Sequence, residues 1–284
     1  MRTDSLLEDH FGDIIQKARM GKGLSLADLV KATGMAQTQL QQIEDYTFTP
    51  PEDEMDRLAT CLGLDAPKLA SIANGTWTPK PPPHWIEEKV IIIRGMIGVY
   101  PVNGYILFDG QTHEAACIDT AFDPEKMLRS IAAQHLSLRS ILLTHCHQDH
   151  MGGVEALKEK TGAALHLHRE EMPLFSRQSR LTPAGFIDEG IELSVGRLRL
   201  RALTTPGHTP GGVTYISEGV CFVGDALFAG STGRSMSPQG YQSLLATLRK
   251  KVLSLPDETV IFPGHGPPTS VGAEKRDNPY LRAP

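Results

Sequence analysis

The chain has no long apolar run. No stretch approaches the ~20 consecutive apolar residues that a membrane-spanning helix needs, so no membrane partner is expected. It also lacks paired cysteines. Cys61, Cys117, Cys146 and Cys221 are scattered and form no CxxC unit, which suits a reducing compartment better than a disulfide framework. The first residues, Met1 to His10, carry acids and no apolar core. No secretory signal is read there, and a cytoplasmic location is expected. Basic charge is scarce in one region only. Residues 1–73 hold 7 Lys+Arg against 12 Asp+Glu, whereas residues 74–284 hold 21 of each. A chain of 284 residues can hold one large domain or two.

The chemistry is concentrated in residues 144–153, Thr-His-Cys-His-Gln-Asp-His-Met-Gly-Gly. His145, His147, Asp149 and His150 are side chains of the kind that hold Zn, Mn or Fe. The apolar run Ser140 to Thr144 reads as a buried strand. Ligand-type residues at its C-terminal end, before a Gly-Gly turn and a helix, place a metal at a sheet edge. A binuclear site needs more ligands, and three later turns offer them. Thr205-Pro-Gly-His208-Thr-Pro-Gly-Gly carries a histidine after a strand, Phe222-Val-Gly-Asp225-Ala-Leu-Phe an aspartate, and Phe262-Pro-Gly-His265-Gly-Pro-Pro another histidine. Gly and Pro in such turns fix the backbone or let it approach an ion closely.

Two regions are distinguished by their patterns. Residues 1–73 show helical periodicity: Leu6 to Ala18, a helix capped by Ser25 and ended by Gly34, a third over Gln37 to Asp45, a fourth opened by Pro50-Pro51 and a fifth from Asp65. Residues 74–87, with Pro81 to Pro83, read as a stiff linker. From Lys89 onward strands alternate with helices: strands at Lys89–Arg94, Tyr105–Phe108, Ala115–Ile118, Ser140–Thr144, Ala164–His168, Arg197–Leu203, Val213–Ile216, Val220–Val223 and Val260–Phe262. Helices are expected at Pro124–Gln134, Gly153–Lys160 and Tyr241–Leu253. Two sheets with helices outside fit this pattern.

Residues 9–72 resemble the lambda-repressor-like (Cro/cI-type) helix-turn-helix family, through Gly23-Leu-Ser-Leu-Ala-Asp-Leu-Val, Thr33-Gly-Met-Ala-Gln-Thr-Gln-Leu and Ile43-Glu44. Such a resemblance implies DNA as a partner. Yet the region is acidic, and its recognition-helix stretch, Gln37 to Asp45, has no basic residue. Phosphate neutralisation by Lys and Arg supplies most non-specific affinity for DNA. DNA binding is therefore disfavoured. Self-association as a dimer, or shaping of the active-site mouth, is expected instead, with local basic character confined to Lys17, Arg19 and Lys22.

The series HxHxDH, PGHTPG, GDALF and PGHG, in this order over about residues 88–284, resembles the metallo-β-lactamase superfamily. The resemblance implies an α/β fold, the αβ/βα four-layer sandwich, here preceded by the small all-α domain. It assigns His145, His147 and His208 to one metal, and Asp149, His150 and His265 to a second. Asp225 would bridge the two. The cofactors implied are two divalent ions, zinc first, with iron or manganese as alternatives. Gly230-Ser-Thr-Gly-Arg234-Ser and the tail Glu274-Lys-Arg-Asp-Asn278-Pro-Tyr-Leu are similar to short glyoxalase II-like proteins, which hydrolyse thioesters. The expected activity is hydrolysis of a small thioester or ester by a hydroxide shared between the metals, with Asp149 orienting water and Arg234 either binding substrate or bracing its loop. Persulfide dioxygenase, lactonase and ligand-sensing regulator are the alternatives. Cys146 is read as a packed thiol, because neighbours in extended chain point to opposite faces. His166 and His168 are read as ordinary strand residues.

Overall fold

The computed structural model describes residues 7–281. Five helices come first: α1 (Phe11–Gly21), α2 (Leu26–Thr33), α3 (Gln37–Glu44), α4 (Glu52–Leu62) and α5 (Ala66–Ala73). Ser25 caps α2. Its hydroxyl accepts the Asp28 N–H, the Asp28 carboxylate accepts the Ser25 N–H, and Gly34 closes the helix at φ +73°. Both ends thus satisfy backbone groups that a helix leaves orphaned. Helix α1 starts later than the sequence pattern suggests, at Phe11, after an N-cap at His10. Leu6, expected as its first residue, lies outside the described residues.

The first sheet is formed by β1 (Val90–Ile97), β2 (Tyr100–Phe108), β3 (Glu114–Thr120), β4 (Ser137–Leu142), β5 (Ala164–Leu167) and β6 (Gly185–Phe186), in that spatial order. Helices α6 (Pro124–Ala133), α7 (Gln148–Met151), α8 (Val154–Thr161) and α9 (Met172–Gln178) lie between its strands in sequence. The second sheet contains β7 (Glu192–Val195), β8 (Leu198–Thr204), β9 (Val213–Ser217) and β10 (Val220–Gly224). The small hairpin β11 (Leu227–Phe228) and β12 (Ser231–Thr232) follows, then α10 (Pro238–Thr247), β13 (Val260–Pro263), β14 (Thr269–Ser270) and α11 (Val271–Asp277). Its spatial order is β14-β13-β10-β9-β8-β7. Strands β6, β7, β11, β12 and β14 and helices α7, α9 and α11 were not expected from the pattern. The helix read over Tyr241–Leu253 is observed as α10 followed by one π-helical turn, Leu248–Val252.

Side chains alternate across each strand, and this alternation builds three apolar layers. From β2, Tyr105 and Leu107 face the second sheet while Ile106 and Phe108 face helices. From β10, Val220 and Phe222 point between the sheets, and Cys221 and Val223 point outward. From β13, Phe262 points between them and Ile261 outward. Phe222 and Phe262 stack with centroids 5.3 Å apart, and Tyr105 tilts against both. The layer order is therefore helices, sheet, sheet, helices.

The outer layer on the second sheet does not stop at residue 73. Ile14, Leu29, Leu40, Ile43, Leu58 and Leu69 of the first five helices share one buried cluster with Tyr241, Leu244, Leu248 and Tyr280. The Tyr280 hydroxyl donates to the Ile14 carbonyl at 2.8 Å, and the Asp65 N–H to the Pro279 carbonyl at 2.9 Å. Residues 74–87, read as a linker, are pinned as well. Trp77 packs on this cluster, so close to Gly230 that a β-carbon there would sit 2.7 Å from its ring. Ile86 is only 2% exposed. The helical segment and the sandwich thus share one continuous core.

Candidate metal centre

Each functional side chain projects from a strand end or the turn after it. His145, His147, Asp149 and His150 follow β4, His208 follows β8, Asp225 follows β10 and His265 follows β13. The structure brings together all seven. His145, His147, His208 and Asp225 form one group and Asp149, His150 and His265 another, each with ligand atoms within 4.8 Å of one another. Asp225 stands between the groups. Its Oδ2 is 3.5 Å from His208 Nε2, 4.0 Å from His145 Nε2 and 3.6 Å from His265 Nε2, and its Oδ1 is 3.2 Å from His150 Nε2. Asp149 Oδ2 is 3.1 Å from His265 Nε2.

The imidazole orientations are set from outside. His145 Nδ1 contacts Thr144 Oγ1 at 3.1 Å, and His150 Nδ1 contacts Asp119 Oδ2 at 2.8 Å. His208 Nδ1 meets the Arg234 carbonyl at 2.8 Å, and His265 Nδ1 the Pro101 carbonyl at 2.7 Å. An outer acceptor on Nδ1 fixes the proton there and leaves the Nε2 lone pair facing inward. His147 is turned the other way. Its Nδ1 lies 3.0 Å from both His145 Nε2 and His208 Nε2. Three ring nitrogens converging so closely suit a shared cation. His150 Nε2 and Asp225 Oδ1 are also buried without a well-formed hydrogen bond, as groups awaiting a metal would be. The donor set of imidazoles and carboxylates fits zinc, iron or manganese.

Electrostatics divide the histidines. Burial and the neighbouring His150 hold His145 well below the usual imidazole range, and burial lowers His208. Both are thus neutral and ready to ligate. Burial opposes the charged form at His150 and His265, but Asp225 and Asp119 outweigh it at the first, while Asp225 and Asp149 raise the second to about 9. His265, His150 and His208 together outweigh burial at Asp225 and keep it ionised.

Several supporting residues carry no motif and were missed. Asp119, at the end of β3, accepts the Thr144 N–H at 2.8 Å and the Thr144 hydroxyl at 2.7 Å besides contacting His150. It adopts φ +52°, a conformation non-glycine residues rarely take. Glu171, fully buried, accepts the Cys146 N–H and the Gly211 N–H, each at 2.8 Å. One carboxylate thereby ties the loop carrying His145 and His147 to the loop carrying His208. Asn103 of β2 donates to the Pro263 and Gly266 carbonyls at 3.1 and 2.9 Å, fixing the turn that presents His265. In that turn a β-carbon on Gly264 would overlap the Asp225 carboxylate and the His150 ring. The only local hint of Asp119 was an acid ending an apolar strand, and Glu171 gave none. Cys146 is buried, with its thiol pushed well above the usual range by burial and Glu171, and joins no ligand group. Neither His166 nor His168 joins one among the described residues.

A search against family models matches residues 97–265 to the metallo-beta-lactamase superfamily. The chain belongs to this superfamily. The hydroxyacylglutathione hydrolase GloC of Haemophilus influenzae is 32% identical over 209 residues, which are 66% of this chain and 98% of that protein. Among solved structures, TTHA1623 in a di-iron-bound form superposes with a TM-score of 0.58 at 34% identity, covering 66% of this chain and all of that one. ETHE1 from Myxococcus xanthus gives a TM-score of 0.58 at 29% identity, covering 66% of this chain and 83% of that one. Members of the superfamily bind a divalent metal pair and are mostly hydrolases, and a third of this chain lies outside each match. No helix among the described residues is long and apolar enough to cross a membrane.

Proposed function

We propose that this protein is a binuclear metal-dependent hydrolase of small thioesters. The observation that carries the reading is the inward convergence of five imidazoles and two carboxylates on either side of Asp225. The likeness to GloC supports the thioester class. Two divalent cations at such a site act as Lewis acids on a carbonyl and lower the pKa of water.

The chain's own residues then have definite tasks. His145, His147 and His208 would hold one ion and Asp149, His150 and His265 the other, with Asp225 placed to serve both. Asp149 is the more exposed of the two carboxylates, at 20% against 9% for Asp225. Its Oδ2 is engaged by His265, which leaves Oδ1 to accept a hydrogen bond from water and orient it. The Arg234 main chain lies beside the centre, its carbonyl bonded to His208, and its exposed side chain is available to a substrate. No side-chain nucleophile is required, and Cys146 is inert by burial.

Thiol release from S-lactoylglutathione by metal-loaded protein tests the reading. Activity should be present in the wild type and lost in His147→Ala. A second reading, the persulfide dioxygenase, is favoured by the likeness to ETHE1. Oxygen uptake with glutathione persulfide, without any thioester turnover, would decide for it.

A further inference from the structure

Helix α1 reaches the metal centre. Lys17 is 9% exposed and pairs with Asp9, 5% exposed, at 2.5 Å. The same ammonium donates to the Thr232 carbonyl at 3.0 Å and lies 4.7 Å over the Phe228 ring, which in turn packs edge-on against His265. The Ser231 hydroxyl donates to Asp9 at 2.5 Å. The residue before Lys17 on α1 is Gln16. The Arg234 guanidinium donates to Gln16 Oε1 at 2.8 Å. The Gln16 amide nitrogen donates to Glu44 Oε2 at 3.3 Å, and Glu44 receives Arg19 in two bonds of 2.6 and 2.8 Å.

These partners fix the amide in one sense. Its donor end faces a carboxylate and its acceptor end faces a guanidinium. Glu44 is neutralised by Arg19, so the chain of contacts reaches Arg234 through an uncharged group. Arg234 forms no ion pair among the described residues, and Ser235, Met236 and Ser237 supply no acid. The guanidinium is exposed and has Gln16 as its side-chain partner. The backbone carbonyl of Arg234 accepts from His208, so the main chain that carries the guanidinium stands at the edge of the centre. A positioned, unneutralised guanidinium suits a carboxylate, which it can meet through two parallel hydrogen bonds.

We infer that Gln16 of α1 is a positioning residue that holds Arg234 as the recognition group for a substrate carboxylate, so that the helical segment sets a preference for carboxylate-bearing thiol carriers. This rests on the thioester reading above. The test compares S-lactoylglutathione with its diethyl ester, in which the carboxylates are masked, on metal-loaded full-length protein. In the wild type kcat/KM should favour the free acid. Arg234→Met should lower that preference about tenfold, the scale of one charge-assisted hydrogen bond. Gln16→Met should lower it about threefold or more, through KM rather than kcat. Gln16→Glu is decisive. It preserves an acceptor for Arg234 but cancels its charge, so the preference should vanish, whereas mere bracing of the loop predicts wild-type behaviour. Calorimetric binding of S-methylglutathione and its diethyl ester gives the same comparison without turnover. If neither thioester is hydrolysed but S-methylglutathione binds and weakens in Gln16→Glu, the hydrolase reading falls and this inference stands. If the wild type does not prefer the free acid in either assay, or Gln16→Glu leaves the preference intact, the inference is overturned.

Discussion

Glu171 offers a sharp test of how the centre is assembled. Its side chain is 0% exposed and accepts two backbone N–H groups at 2.8 Å, one from each of two histidine-bearing loops. Glu171→Ala leaves both donors buried and unpaired, and each orphaned group costs about 1–3 kcal/mol. Relief from burying the carboxylate offsets part of that, so a net loss of about 3 kcal/mol is expected. For a chain of this size that corresponds to a fall in Tm of about 6–12 °C. Glu171→Gln keeps one acceptor and turns an NH2 group toward the other donor, for about half that loss. Function should suffer more than stability. With the loops untied, His147 and His208 no longer share a fixed geometry, and outer-shell losses of this kind lower metal affinity about 10–100-fold. Melting of metal-free protein and competition with a chromophoric chelator measure the two effects separately. Wild-type metal affinity in Glu171→Ala would refute the reasoning even if the protein melted early, because the carboxylate would then support the fold and not the site.

Four further outcomes follow from the same contacts. Metal content should fall from two ions per chain to one or fewer in Asp225→Ala, and two tightly held ions in that variant would remove Asp225 from its bridging place. Burial pushes the Glu274 carboxyl up to about 7 despite donors from Asn278, Thr269 and Gly230. A raised carboxyl gives stability that is complete below about 4.5 and lost as pH rises through about 7, here about 3 kcal/mol, so Glu274→Gln should flatten the stability of metal-free protein between pH 5 and 8; parallel denaturation curves would show the shift to be absent. A chain starting at Pro79 should aggregate, because it bares Tyr241, Leu244, Leu248 and Tyr280, and a soluble monomer with a full metal complement would contradict the shared core. Full-length protein should enrich no duplex from a random library at moderate salt, and recovery of a palindromic site would restore the regulator reading.

The parts of the centre that could be read in the sequence are those in which chemistry and chain position coincide. His145, His147, Asp149 and His150 crowd one strand end, and His208, Asp225 and His265 each sit in a Gly- or Pro-marked turn after a strand. Strands β2, β3, β10 and β13 were equally visible as short apolar runs, since both faces of each are buried over most of its length. What escaped is non-local. Glu171 meets its partners across 25 and 40 residues, and Gln16 meets Arg234 across 218. An isolated acid or amide carries no mark of such a partner. Short edge elements such as β7, with four residues and only Val195 buried, gave too few apolar positions to register.

The first five helices illustrate how a local pattern can be right about elements and silent about their use. The Ser25 cap, the Gly34 stop and the α3 boundary all follow local rules. Their cations, however, are consumed internally. Lys17 is buried against Asp9 and Arg19 is bonded to Glu44, which removes two of the three basic residues around which a DNA contact was conceivable. Helix α3 leaves Gln37, Thr38, Gln41 and Gln42 exposed without a phosphate anchor beside them. Lys17 instead faces Phe228 and Thr232 of the α/β domain, and Glu44, the partner of Arg19, reaches Arg234 through Gln16. Charge that pairs inward cannot also bind a polyanion. The helices share one buried core with the sandwich, and through Lys17 and Gln16 they contact Thr232, Phe228 and Arg234 beside the metal centre.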